Sequence, residues 1–103
     1  MQYRIAFHVN KTTVNIGETA NVFFYWLKYD EEQQKYLMDT EKEDPFQVRC
    51  FCLQDSEDMS FLANAGESYA FSPDKTGTFL IYTENEGAEN TEVKIICLAP
   101  NTE

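Results

Sequence analysis

The most constraining feature of the sequence is the segment 69–82, in which two alternating apolar stretches flank a short turn. Pro73 has a fixed φ and no N–H to donate to a ladder, so it ends the first stretch. Gly77 allows a backbone conformation that most other residues would adopt only with strain. Apolar alternation resumes at once with Phe79 and Ile81. The segment therefore predicts two β-strands joined by a Pro-Asp-Lys-Thr-Gly turn.

Apolar residues alternate with a period of two along most of the chain, which predicts strands rather than helices. In residues 3–9, 46–53 and 93–98, the apolar side chains fall mainly on one side of each predicted strand. Residues 19–29 are apolar on both sides and rich in β-branched and aromatic residues, which predicts a central or covered strand.

The number and spacing of these segments predict the fold class. We expect seven to nine short strands with turns roughly every 8–12 residues, and no amphipathic helix. Residues 59–63 fit either a short strand or one helical turn, and Pro100 is expected to end the last strand. The prediction is a single domain over residues 1–103: an all-β, antiparallel sandwich with Greek-key connections.

The net charge of −10 limits the possible partners. It argues against direct binding to nucleic acid, which requires clustered lysine and arginine, and against binding to anionic membranes. The charge either keeps a small aromatic-rich domain soluble or forms a functional acidic face that docks on a basic groove. The candidate residues for such a face are Asp30, Glu31, Glu32, Glu41, Glu43, Asp44, Glu84, Glu86 and Glu89.

Targeting signals are not evident in the sequence. No apolar run approaches the ~20 residues of a membrane-spanning helix. Residues 1–9 alternate and lack the charged and continuous apolar regions of a signal peptide. We therefore expect a cytoplasmic or virion-associated protein if the chain is full length, and an extracellular one if it belongs to a longer exported protein.

The three cysteines do not match a secreted disulfide framework, which normally has an even number. Cys50 and Cys52 share one side of a predicted strand, and Cys97 lies in the last strand. They are expected to be buried, reduced thiols, with a single disulfide from Cys97 to Cys50 or Cys52 as the alternative. Three cysteines and the distant His8, without Cys-x2-Cys spacing, argue against zinc.

The sequence contains no recognisable catalytic or cofactor-binding motif. His8, the only histidine, falls on the polar side of the first strand and is expected to be solvated. The acidic loop 55–58 could offer oxygen ligands to calcium, but it lacks EF-hand spacing and is expected to be a solvated loop. We therefore predict that the protein is not an enzyme and needs no cofactor or metal.

The aromatic residues provide a second candidate binding surface. Fifteen Phe, Tyr and Trp residues exceed what one face of a small sandwich requires. Side chains on the sides opposite the predicted core would form an apolar binding patch if they were exposed together; otherwise loops or neighbouring strands cover them. The candidates for this aromatic face are Phe23, Tyr25, Tyr29, Phe51 and Tyr82.

Two segments resemble the immunoglobulin-like domains of bacterial and phage proteins. They are Gly17-Glu18-Thr19-Ala20 with its following strand, and residues 71–79 (Phe-Ser-Pro-Asp-Lys-Thr-Gly-Thr-Phe). The resemblance implies an immunoglobulin-like sandwich, a fold that serves in adhesins, surface spacers, accessory modules of carbohydrate-active enzymes and phage capsid or tail appendages. The chain lacks the Cys…Trp…Cys spacing of antibody domains, since Trp26 precedes the first cysteine, so no inter-sheet disulfide is implied.

Two functions follow as expectations. The first is a non-catalytic structural or adhesion module that binds another protein, or assembles with itself, through an aromatic sheet face or an edge strand. The second is a small acidic inhibitor, of the phage anti-defence type, that occupies the basic nucleic-acid groove of a host enzyme. Neither function involves direct contact with nucleic acid or membrane, and no small-molecule ligand is expected.

Overall fold

The computed structural model describes residues 2–99, which form an all-β fold of two packed five-stranded sheets without a helix. Alternating burial runs along the longer strands, as the sequence pattern predicts. In chain order the strands are β1 (Tyr3–Val9), β2 (Thr13–Asn15), β3 (Ala20–Asp30), β4 (Lys35–Asp39), β5 (Phe46–Cys52), β6 (Asp58–Ala63), β7 (Ser68–Phe71), β8 (Gly77–Thr83), β9 (Ala88–Glu89) and β10 (Glu92–Leu98).

The long strand β3 organises the first sheet, in which the strand order is β4-β3-β1-β9. Strands β4 and β7 share the side of β3 that faces away from β1: β4 pairs with its C-terminal part and β7 with its N-terminal part. The second sheet has the order β2-β10-β8-β5-β6. Its edge strands are therefore the three-residue β2 and the six-residue β6.

Both sheets are mixed, which corrects the prediction of purely antiparallel pairing. Strand β9 pairs in parallel with β1, and β2 pairs in parallel with β10. In each case the chain keeps its direction while it passes between the sheets, once between β1 and β2 and once between β9 and β10. The polar residues 10–12 thus mark a change of sheet rather than a reversal of the chain.

The core lies between the two sheets and follows the predicted alternation. Val22, Phe24 and Trp26 of β3 are at most 3% exposed, and Trp26 stacks on Phe46 with ring centroids 4.8 Å apart. The predicted inward positions of β5 and β10 are buried as well. Cys50, Cys52 and Cys97 are free thiols within this core, in agreement with the preferred interpretation of the cysteines.

The strand count differs from the prediction in one respect. Residues 2–99 contain ten strands rather than seven to nine, because the two-residue strand β9 forms within the acidic segment 84–92. The ambiguous segment 59–63 is part of strand β6. Pro100, the predicted end of the last strand, lies outside the described residues. The described part of the chain contains no helix that is long and apolar enough to cross a membrane.

Candidate functional site

All nine predicted acidic residues lie at one end of the sandwich, seven on connections and two, Asp30 and Glu89, at the ends of strands β3 and β9. Strand β3 ends at Asp30, beside the start of its antiparallel partner β1, and β9 pairs with that same start of β1. The segment before β5 and the loop after β8 reach this end because β5 and β8 are antiparallel. We call this region the acidic end. It comprises residues 28–45 and 84–92.

The first part of the acidic end is ordered by short-range hydrogen bonds. Asp30 accepts a bond from the N–H of Glu32 at 3.0 Å, and Asp39 accepts one from the N–H of Glu41 at 3.0 Å. Such Asp side chains hold a turn by replacing a backbone acceptor. The indole N–H of Trp26 donates to the carbonyl of Asp44 at 3.0 Å, which fastens the segment before β5 to the core.

Two asparagines order the second part of the acidic end. Asn85 accepts a bond from the N–H of Gln47 at 2.9 Å and donates to the carbonyl of Pro45 at 3.1 Å, so the loop after β8 is fixed to the start of β5. Asn90 accepts bonds from the buried hydroxyl of Thr83 at 3.0 Å and from the N–H of Asn85 at 2.7 Å. The carboxylates of Glu84, Glu86 and Glu89 are therefore displayed from a defined backbone.

The acidic end holds most of the protein's excess charge. Its two segments contain eleven acidic and three basic residues, a net charge of −8. Three of the nine candidates are in ion pairs: Asp44 with Lys42, Glu84 with Arg49 and Glu89 with Arg4. Within residues 2–99 the other six form no ion pair. They are Asp30, Glu31, Glu32, Glu41, Glu43 and Glu86.

The structure divides the five predicted aromatic residues between two surfaces. Phe23, Tyr25 and Tyr29 lie on the outer face of the first sheet. Phe23 packs between His8 and Tyr25, with ring centroids 5.3 and 6.3 Å apart. Phe51 and Tyr82 lie on the outer face of the second sheet, each opposite a residue of a neighbouring strand. The five residues therefore do not form one patch.

The outer face of the first sheet carries exposed apolar side chains around these aromatic residues, with Arg4 opposite Leu27. Leu27 lies between Tyr25 and Tyr29 on β3, and Met38, opposite Leu27 on β4, is 60% exposed. Tyr29 is 39% exposed and its ring lies 5.3 Å from that of Tyr36. On the second sheet, Arg49 and its partners Asp58 and Glu84 interrupt the apolar surface.

A groove that the sequence did not predict lies at the edge where β6 and β7 face each other. The groove has a volume of about 370 Å³. Its walls are Cys50, Cys52, Met59, Tyr69, Phe71 and Phe79, and Glu57, Asp74 and Lys75 lie around it. Lys75 forms ion pairs with both Asp55 and Glu57 and so joins the turn after β7 to the loop after β5. Alternation alone could not reveal the groove, because it does not show where two sheets separate.

The Cys50 thiol in the groove is not poised for nucleophilic chemistry. Burial raises the pKa of the Cys50 thiol to about 11, and the neighbouring Cys52 adds to the effect. Burial likewise raises the pKa of Tyr69. Because the thiolate is the reactive form of cysteine, Cys50 is inert near neutral pH.

The other residues considered for catalysis or metal binding contact neighbouring side chains within the fold. His8 is exposed on the outer face of the first sheet, where its ring packs on Phe23. In the 55–58 segment, Asp55 and Glu57 form ion pairs with Lys75, and Asp58 forms one with Arg49. Among residues 2–99, no group of three or more His, Cys, Asp and Glu side chains is placed to hold a metal ion.

Comparison with known proteins finds no family model, no curated protein and no solved structure that matches this chain significantly. Inferences about function therefore depend on the geometry of the surfaces described above.

Proposed function

We propose that this protein is a non-catalytic, immunoglobulin-like domain that acts by binding another protein. The strand order supports the fold assignment. The order β10-β8-β5-β6 corresponds to the G-F-C-C′ sheet of variable-type immunoglobulin domains, and β1-β3-β7 corresponds to their A-B-E strands. The parallel pairs and the additional β3–β4 hairpin are departures from that plan.

The acidic end is the proposed binding surface, and the observation that carries the proposal is the convergence of nine carboxylates there. Six of them have no cationic partner within residues 2–99, and hydrogen bonds order the connections that carry them. A preformed surface of this charge fits a basic groove of a partner, such as the groove of a nucleic-acid-binding enzyme. The protein would then inhibit that enzyme by occupying the groove.

Capture from a cell lysate at two salt concentrations tests this proposal. The immobilised protein should retain a basic partner at about 0.05 M NaCl and release it at about 0.5 M, where screening is strong. Double-stranded DNA should also elute the partner, because both ligands would occupy the same groove. Retention at high salt, or resistance to elution by DNA, would contradict the proposal.

A pair of charge-matched variants locates the contact. Glu31→Lys with Glu86→Lys changes the acidic end, whereas Glu67→Lys with Asp74→Lys makes the same change in net charge elsewhere. The first variant should lose the partner and the second should keep it. Equal losses would show that net charge, rather than the acidic end, determines binding.

A structural or adhesion module is the second candidate function, and the outer face of the first sheet favours it. Tyr29 and Met38 are 39% and 60% exposed there, beside Phe23, Tyr25 and Leu27. Binding through this face would persist at about 0.5 M NaCl, since burial of apolar area is not screened by salt. Tyr25→Lys should abolish such binding, and Tyr82→Lys, on the opposite outer face, should not.

A further inference from the structure

Strand β6 has an unpaired edge. It hydrogen-bonds only to β5, and it ends the second sheet on the side where β7 ends the first. The N–H of Cys52 donates to the carbonyl of Glu57 at 2.9 Å, which fixes the register of hydrogen-bonded pairs in this hairpin. Antiparallel geometry then directs the N–H and C=O groups of Asp58, Ser60 and Leu62 away from β5. Within residues 2–99, no hydrogen bond uses these groups.

The other edge strands are shorter or carry a lysine. Strands β2, β7 and β9 contain three, four and two residues, and β4 begins with Lys35. Natural sheets protect their edges with short strands, lysine, proline or bulges. Strand β6 contains six residues and has neither lysine nor proline. It is therefore the longest edge in the described part of the chain that lacks such protection.

The 370 Å³ groove adjoins this free edge on its inner side. Met59 points inward from β6, yet it is 50% exposed because the sheets separate there. On the outer side Leu62 is 63% exposed. A strand added to β6 would place alternate side chains over the groove and over Leu62. Apolar side chains suit the first position, and the aliphatic stem of a lysine or arginine suits the second.

The charge around the edge determines which kind of strand fits. Asp55, Glu57, Asp58, Glu67 and Asp74 surround it, with Arg49 and Lys75 as the basic residues, so the net charge there is −3. A second copy of this chain would bring the same carboxylates against them, and each copy carries −10. Like charges placed against each other are unfavourable, so the charges favour a basic partner over self-assembly.

We propose that β6 binds an extended segment of a partner protein, in which apolar residues alternate with lysine or arginine, by β-strand addition. The segment becomes the sixth strand of the second sheet and hydrogen-bonds to Asp58, Ser60 and Leu62. Its apolar side chains enter the groove beside Met59 and Tyr69, while its cationic side chains cover Leu62. This site is separate from the acidic end and shares with the proposed function only that the ligand is a protein.

Nuclear magnetic resonance of the ¹⁵N-labelled full chain tests the site. The probe is an acetylated and amidated peptide of seven residues that alternates lysine with valine or leucine. On addition of the peptide, the amides of Ser60 and Leu62 should shift and their hydrogen exchange should slow. The absence of these changes at about 1 mM peptide, or their appearance at another edge or only at the acidic end, overturns the proposal.

Matched peptides test the two chemical requirements of the site. Methylating the amide nitrogens of two consecutive central residues of the probe removes a donor that faces β6 in either strand direction, at unchanged charge. Glutamate in place of lysine reverses the charge at unchanged apolarity. Both changes should weaken binding by roughly tenfold or more. If either altered peptide binds as well as the probe, strand addition by a basic segment is wrong.

Variants of the protein complete the test. Ser60→Pro deletes an outward N–H that no sheet bond uses, and edge strands tolerate proline at such positions. It should weaken peptide binding by roughly tenfold, and Ser60→Ala, which keeps the N–H, should not. If Ser60→Pro does not fold, the amide changes in the unsubstituted protein decide the question. Glu31→Lys with Glu86→Lys should leave peptide binding to β6 intact, so this proposal and that for the acidic end can fail separately.

Discussion

Among the four glycines, Gly77 is the one at which an added side chain would meet a close contact. Its φ is +148°, and a Cβ there would lie 2.6 Å from Oε1 of Gln54, which accepts the N–H of Thr78 at 2.7 Å. The strained position predicted from the turn sequence is thus confirmed. We expect Gly77→Ala to lower the free energy of unfolding by about 2 to 3 kcal/mol, measured by urea denaturation.

Gly66 provides the matched control for this substitution. Its φ is +82°, but a Cβ there would meet nothing within 4 Å. Gly66→Ala should therefore cost only the backbone strain, about 1 kcal/mol. Equal costs at the two glycines would mean that Gln54 moves aside freely and that the clash contributes nothing.

Cys50 should make the fold sensitive to alkaline pH. Burial holds its pKa at about 11, above its ordinary value of 9.0. The neutral thiol is favoured in the folded state, so no stability is lost below about pH 9, and stability falls as pH rises from there to about 11. Thermal unfolding of the unsubstituted protein and of Cys50→Ala across this range measures the effect. The decline should be shallower in Cys50→Ala; equal slopes would contradict this role for Cys50.

The alternation in the sequence was sufficient to predict most strands and the inward residues, but not the partner of each strand. For β3 and β5 it correctly separates Phe24 and Val48, in the core, from Phe23 and Phe51 on the outside. It cannot show that the last two lie on opposite outer faces, since a period of two defines the two sides of one strand only. The candidate aromatic face therefore combined residues from both outer faces.

The acidic end was easier to anticipate than the parallel pairs. Acidic residues concentrate in connections, and the directions of successive strands determine the end at which each connection lies. Residues 10–12 and 84–92 are mostly polar, and polar residues mark an interruption of a strand without indicating the change of sheet that follows. The groove depends on how far the sheets separate at β6 and β7, which is a property of the packing.

Lys75 connects two elements, because its ion pairs with Asp55 and Glu57 join the turn after β7 to the loop after β5. Substitution of Lys75 should therefore change the pKa of the carboxyl groups that it contacts. Hydrogen bonding to Lys75 is the largest cause that lowers the pKa of Asp55 in the folded state. A carboxyl group whose pKa is lowered in the folded state stabilises the fold at pH values above its ordinary pKa. This stabilisation is lost as the pH falls through the folded-state pKa. Lys75→Met should therefore raise the pKa of Asp55, measured by carbon-detected titration. Lys42→Met, which removes the partner of Asp44 at the other end, should leave Asp55 unchanged.

At the scale of the whole molecule, repulsion between carboxylates should make stability depend on salt. The chain has 18 acidic and 8 basic residues, and the acidic end alone carries −8. Exposed charges of like sign destabilise the compact state, and salt screens them. We expect the melting temperature to rise between about 0.05 and 0.5 M NaCl, because repulsion outweighs the few exposed ion pairs that salt also weakens.

A variant with Gln in place of Glu31, Glu32, Glu41, Glu43 and Glu86 should melt higher at low salt and respond less to salt. A melting temperature that falls with salt would mean that ion pairs such as those of Arg49 and Lys75 dominate. Repulsion among the exposed carboxylates of the acidic end would then not limit the stability of the fold.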